Sequence, residues 1–278
     1  SELYNSGDGL ELFPNMADGV VSAYKFDTGS GTSAVDSAPS GNDGTITGAS
    51  WTSSGKINDA LSFDASSEKV IIGNSTIFNF EYNDSFSIGF WFNINTTGVN
   101  RFPFTKQVAI GLYNGISIWQ ETSNVINFAL TSTIGPSKQI EIRTPAISTT
   151  GTWYYYLVTY NGSGIASGVK IYYSGTEQTK TIVDDTLAST SILSNVAPEI
   201  GNRNGAFDFK GYMDEFTVWN RDLSQTDATN LYNSGDGLQY DFIESATPEG
   251  YSKSIMGITG YTKVNGVLVA NISKFMGV

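Results

Sequence analysis

The chain has 278 residues, with 15 Lys+Arg against 27 Asp+Glu, a net charge of −12 and neither His nor Cys. Without those two residue types there is no disulfide, no thiolate or imidazole metal site, and no Ser/His or Cys/His nucleophile. The acidity is spread along the chain, which repels nucleic acid and anionic membranes, and no stretch approaches the ~20 apolar residues of a membrane span.

Taken in order, alternating runs bounded by Gly, Asn, Asp and Ser predict strands at VVSAYKFD (20–27), KVIIG (69–73), FSIGFWFNI (86–94), VAIGLY (108–113), GISIWQE (115–121) and VINFAL (125–130). QIEIRT (139–144), WYYYLVTY (153–160), VKIYYSG (169–175) and GYMDEFTVW (211–219) continue the series. In FSIGFWFNI one face carries Phe86, Ile88, Phe90, Phe92 and Ile94, the other Ser87, Gly89, Trp91 and Asn93. YNGSG and YSGTE are turn phrases joining antiparallel neighbours. More than ten short strands predict an all-β, two-sheet sandwich. One segment departs from the alternation. Ser224 as N-cap, Asp227 three positions on and an apolar stripe of Ala228, Leu231 and Tyr232 predict a short helix over 224–233, with Gly235 closing it in the left-handed conformation.

The succession YKFDTGSG, VDSAPSGNDGTITG, GKINDALSFDASSEKVIIG, SFSIGFWFNI, TWYYYLVTYNGSG, VKIYYSGTEQ and GYMDEFTVWNRDLSQTDATNLYNSGDG resembles the laminin-G-like jelly roll of the concanavalin A-like lectin/glucanase fold. The resemblance covers about 18–240 and implies an antiparallel jelly-roll sandwich over 17–243. In that family the LYNSGDG phrase closes a domain. It occurs here at 231–238 and, identically through LYNSGDGL, at 3–10, an offset of 231 − 3 = 228 residues. The first copy therefore reads as a stub (1–16) left by a preceding similar module in a tandem array; a strand that merely echoes the later one is the alternative. The segment 244–278, with KVNGV and ISKFMGV, resembles tails of phage virion and other microbial surface proteins. It is expected either to dock on neighbouring subunits by strand addition or to fold back as a strand pair on its own domain.

The resemblance also implies one structural Ca²⁺, held by Asp27, Asn42 through its backbone carbonyl, and Asp214, with Asp36 and Asp43 nearby. Oxygen ligands suit Ca²⁺; the plainer reading makes Asp27 and Asp36 turn formers. For sugar binding, Trp91, Trp153 and Trp219 lie in strands the family packs in its core. That leaves Tyr113, Asn114, Trp119 and, from the loop GNRNGAFD (201–208), Asn202, Arg203, Asn204 and Asp208 as candidate glycan contacts, unless the loop is merely solvated. No catalytic residues are expected. Glycosidases need two facing carboxylates, whereas the neighbours Asp214 and Glu215, like Asp184 and Asp185, should point to opposite faces of a strand. The expected protein is a non-enzymatic adhesion or decoration module. It would recognise surface or host glycans at an extracellular, cell-surface or virion-surface position. A purely structural particle or filament subunit and, third, a glycan-cleaving enzyme are the alternatives.

Overall fold

The ten-residue strand Ser85–Ile94 is buried along nearly its whole length. It pairs antiparallel with Trp153–Asn161 on one side and Gly211–Trp219 on the other. Side chains of a strand alternate between faces, so burial on both faces requires cover on both. Phe86, Ile88, Phe90, Phe92 and Ile94 enter a large inter-sheet core, while Trp91 enters a second apolar cluster on the opposite side.

The computed structural model describes residues 14–108, 111, 113–133, 138–240 and 242, together with the backbone of 261–264 and 267–270. The larger compact unit spans Glu11–Glu244 and is a sandwich of two antiparallel sheets. The first orders Thr176–Glu177, Val169–Tyr173, Trp153–Asn161, Ser85–Ile94, Gly211–Trp219, Ala60–Phe63 and Ser50–Thr52, with Val20–Tyr24 also paired to Gly211–Trp219. The second orders Thr181–Asp185, Lys138–Arg143, Ile126–Thr133, Gly115–Gln120, Arg101–Gln107, Glu199–Ile200, Lys69–Ile72, Gly44–Thr47 and Ser33–Ala34. The two-sheet, all-β expectation holds, and Tyr24 pairs with Phe216 in the closing strand. The YSGTE phrase is a two-residue hairpin, with Ser174 and Gly175 at φ of 48° and 78° as its tight turn requires.

The second apolar cluster explains the helix. Gln225–Tyr232 lays Ala228 and Leu231 on Trp91, Trp219, Tyr155, Leu157 and Tyr172, joined by Met16, Leu238 and Phe242. The Trp219 indole donates to the Met16 carbonyl at 2.8 Å, so Met16, expected within the stub, packs as part of this cluster. Ser224 and Asp227 cap the helix reciprocally. Its end differs from expectation: Asn233, not Gly235, is the left-handed cap at φ 46°, because Asn tolerates that region and its amide donates to the Gly237 carbonyl at 3.1 Å.

One strand expectation is corrected. Val108, Gly111 and Tyr113 lie outside any strand, and Tyr113 has φ 61°. Gly115, at φ 130°, starts the next strand where a Cβ would stand 1.9 Å from the Lys106 carbonyl oxygen. The first copy of LYNSGDGL and most of 244–278 lie outside the described residues. Within that segment Tyr261–Val264 pairs antiparallel with Val267–Ala270. Among the described residues no helix is long and apolar enough to cross a membrane.

Candidate functional site

Alternation decides which side chains leave the sandwich. Along three adjacent strands of the nine-stranded sheet, Ile116, Ile118, Phe128, Leu130, Ile140 and Ile142 point into the core. Ser117, Trp119, Ala129, Thr131, Gln139 and Glu141 therefore face outward, and with Gln107 they line a groove of about 500 Å³. Phe102, Tyr113 and Arg203 complete it. A second depression of about 330 Å³ shares Phe102, Trp119 and Arg203 and adds Asn100, Glu121, Thr122 and Phe207.

Phe102 reaches this face through a bulge. Arg101 pairs with Gln120 and Phe104 with Ile118, three steps against two. The extra residue turns Phe102 outward while Phe104 stays in the core. Phe102 then stacks on Trp119, with centroids 6.0 Å apart and planes 16° apart, and touches Phe207 at 5.6 Å. The result is an aromatic platform beside amide, hydroxyl and carboxyl groups. Gln139 donates to Glu141 at 3.2 Å, and Arg143 lies 2.9 Å from Glu121 and 3.6 Å from Glu141. Burial raises the Glu141 carboxyl above its ordinary range, Arg143 opposes the shift, and Glu121 and Asp184 add to it.

Of the expected glycan contacts, Tyr113, Trp119 and Arg203 line the groove. The others brace its rim. Asn202 is fully buried; its amide donates to Asp208 at 2.6 Å and its oxygen accepts from the Gly205 amide at 2.6 Å. Asp208 also accepts from Ser67 N, and the Asn204 amide N–H donates to Glu199 at 2.7 Å. The Asn114 side chain donates to the Leu193 carbonyl. Trp91 and Trp219 are core residues, whereas Trp153 is half-buried at the margin of the second cluster.

The expected metal ligands are divided. Asn42 belongs to a loop organised by Asp36: its carbonyl accepts from the Tyr24 hydroxyl at 2.7 Å and its N–H donates to Asp36 at 3.0 Å. Asp43 accepts from Asp36 N. Asp27 and Asp214 lie elsewhere, together with Glu215. A bulge places Glu215 at φ 49°, so Asp214 and Glu215 do not take opposite faces; both are buried. Gln239 donates to Asp27 and, at 3.0 Å, to Glu215. Asp214 accepts from Ile57 N and Glu215 N, each at 2.9 Å. Burial, with the neighbouring Asp27 charge, raises Asp214 to about 8; burial and then Asp214 hold Glu215 well above the carboxylate range. Among the described residues no group of three or more Asp or Glu side chains is spaced to hold a metal ion, and the Gln239 amide stands between Asp27 and Glu215.

A family model described as the concanavalin A-like lectin/glucanases superfamily, laminin G type, matches residues 63–229, more than half of the chain. The chain belongs to that superfamily. No curated protein matches this laminin-G-like chain significantly. Solved structures share its fold. The binding domain of paraclostridial mosquitocidal protein 1 superposes with a TM-score of 0.62 at 16% identity, covering 79% of this chain and 53% of that one. Domain 4 of AbnA, an extracellular arabinanase of Geobacillus stearothermophilus solved with arabinotriose, gives 0.54 at 20% identity, covering 76% and 97%. A botulinum neurotoxin type C structure, whose cell entry depends on interaction with two ganglioside molecules, gives 0.52 at 19%, covering 80% and 52%. The laminin-G-like chain thus spans about half the length of these toxin domains.

Proposed function

We propose that this protein is a non-enzymatic glycan-binding module, displayed on a cell or virion surface for adhesion or decoration, and that the groove on the nine-stranded sheet is its binding site. The observation that carries the reading is the Trp119–Phe102 platform set beside Gln107, Thr131, Gln139 and Glu141. Sugar rings present C–H faces to aromatic planes and hydroxyls to amides and carboxyls, and this floor offers both within one depression. The fold shared with a domain solved with arabinotriose supports the reading.

Glu121 and Glu141 both approach the Arg143 guanidinium. That ion-paired arrangement fits positioning better than proton transfer, which needs a free acid and a free base on either side of the scissile bond. A glycan array probed with wild type and W119A tests the reading. Retention of at least one glycan class by wild type and its loss in a folded W119A are expected; silence on every glycan overturns it. Reducing-sugar release that disappears in E141Q would overturn the non-enzymatic part. The same reading gives 244–278 a role in contact with neighbouring subunits. Deleting residues 252–278 should lower the assembly state measured by light scattering, and an unchanged mass would remove the tail from assembly.

A further inference from the structure

Arg203 is held in the groove wall by a loop that its own side chain does little to support. Arg203 and Ala206 exchange backbone hydrogen bonds of 3.1 and 3.0 Å, and buried Asn202 ties the turn to Asp208 and Gly205. The guanidinium lies between two rings, its central carbon 5.0 Å from the Phe102 centroid and 5.1 Å from that of Tyr113. Arginine carries five N–H donors in a planar fork. Among the described residues none of them meets an acceptor, and the partners of this side chain are the faces of the two rings. Nearby acids are already engaged: Glu121 and Glu141 by Arg143, Glu199 by Lys69 at 2.7 Å and by Asn204 N. Partial desolvation lowers the Arg203 pKa, so the cation is stripped of some water without a counter-charge among the described residues.

A half-buried guanidinium flattened by aromatic contacts, with its fork open, matches a planar carboxylate held by two parallel bonds. Arg203 also lines both halves of the groove, next to the platform on which a sugar ring would rest. Net charge limits the partner further: a chain of −12 repels densely charged polyanions, which favours a glycan in which single acidic units stand among neutral ones. Resting on the glycan-binding reading of the same groove, we infer that its ligand is a carboxylated sugar, a uronate or sialate unit, whose carboxylate pairs with Arg203 while the ring packs on Phe102 and Trp119.

Carboxyl reduction converts a uronate to the neutral sugar of the same stereochemistry, which supplies a matched pair of probes. Full-length protein would be titrated calorimetrically with uronate-containing oligosaccharides and their carboxyl-reduced forms, alongside sialylated and desialylated pairs. The acidic member of at least one pair is expected to bind about tenfold or more tightly, the scale of a charge-assisted hydrogen bond. In R203Q the two members should bind alike, and R203K, which keeps charge but not the fork, should restore part of the preference. Both variants keep the loop's backbone bonds, and melting temperatures verify that they fold. Equal binding of acidic and reduced forms by wild type, with W119A still abolishing both, overturns the carboxylate inference and leaves the glycan site standing. Tighter binding of sulfated oligosaccharides than of carboxylated ones overturns it too. Absence of binding to any member overturns the carboxylate inference, and the glycan-binding reading then falls only if the array is silent as well.

Discussion

At the scale of single residues, Asp214 makes a pH prediction whose sign follows from its environment. Its carboxyl titrates near 8 in the fold because burial and the nearby Asp27 charge penalise the anion, against about 4 in an unfolded chain. Between those values the folded chain holds a proton that the unfolded chain has released, so this group's contribution is full below pH 4 and is lost as pH rises towards 8. D214N should therefore show a smaller loss of melting temperature between pH 5 and pH 8 than wild type, although Glu215, also raised, will keep part of the slope. Parallel slopes in both proteins would assign the effect to other groups. Melts with and without millimolar Ca²⁺ at pH 8 read whether a cation can replace the missing protons. The family resemblance set Asp27 beside Asp214, but Glu215 was not expected with them, for a definite reason. Two-residue alternation sends neighbours to opposite faces, and it fails where a bulge holds Glu215 in the left-handed region. Phe102 was illegible for the same reason, since RFPF read with plain alternation puts both phenylalanines on one face. Trp119, Tyr113 and Arg203 were legible because a polar loop and an outward aromatic can be recognised without knowing register. Glu121 and Glu141 could not be paired from sequence, because only strand order brings them to one arginine.

At the scale of elements, the helix Gln225–Tyr232 depends on its first turn. The Ser224 hydroxyl accepts from Asp227 N at 3.1 Å, and Asp227 accepts from Ser224 N at 2.8 Å. Replacing Ser224 by Ala is expected to cost about 1 kcal/mol, the usual value of an N-cap, read as a lower urea midpoint at unchanged slope. A midpoint shift within error would mean that the tertiary contacts of Ala228 and Leu231 alone fix the element. Its start was legible because capping chemistry is local. Its end was not, because Asn and Gly both suit a left-handed cap, and the contact of Gly237 with Trp91, where a Cβ would stand 3.0 Å from the indole nitrogen, decides how the chain leaves.

At the scale of the molecule, apolar cover is unequal. The eight-stranded sheet is buried on both faces, by the inter-sheet core and by the cluster around Trp91 and Trp219, while the groove occupies the outward face of the other sheet. Trp91→Ala should cost about 3–5 kcal/mol as a large-to-small core change and leave glycan affinity unaltered at temperatures where the variant is folded. A selective loss of affinity without loss of stability would show that the two faces communicate. The two-sheet sandwich was legible from family resemblance and hydrophobic period together, whereas strand order and the distribution of cover were not, since a tryptophan on a strand reads the same whichever layer receives it.

The loop 201–208 carries a consequence for variation. Its shape rests on main-chain bonds, on buried Asn202 and on Asp208, while the Arg203 side chain lies against the rings of Phe102 and Tyr113 without joining that frame. Related chains that keep the two anchoring positions are free to exchange the side chain at 203, so the chemistry of the groove wall can change without reopening the question of whether the chain folds.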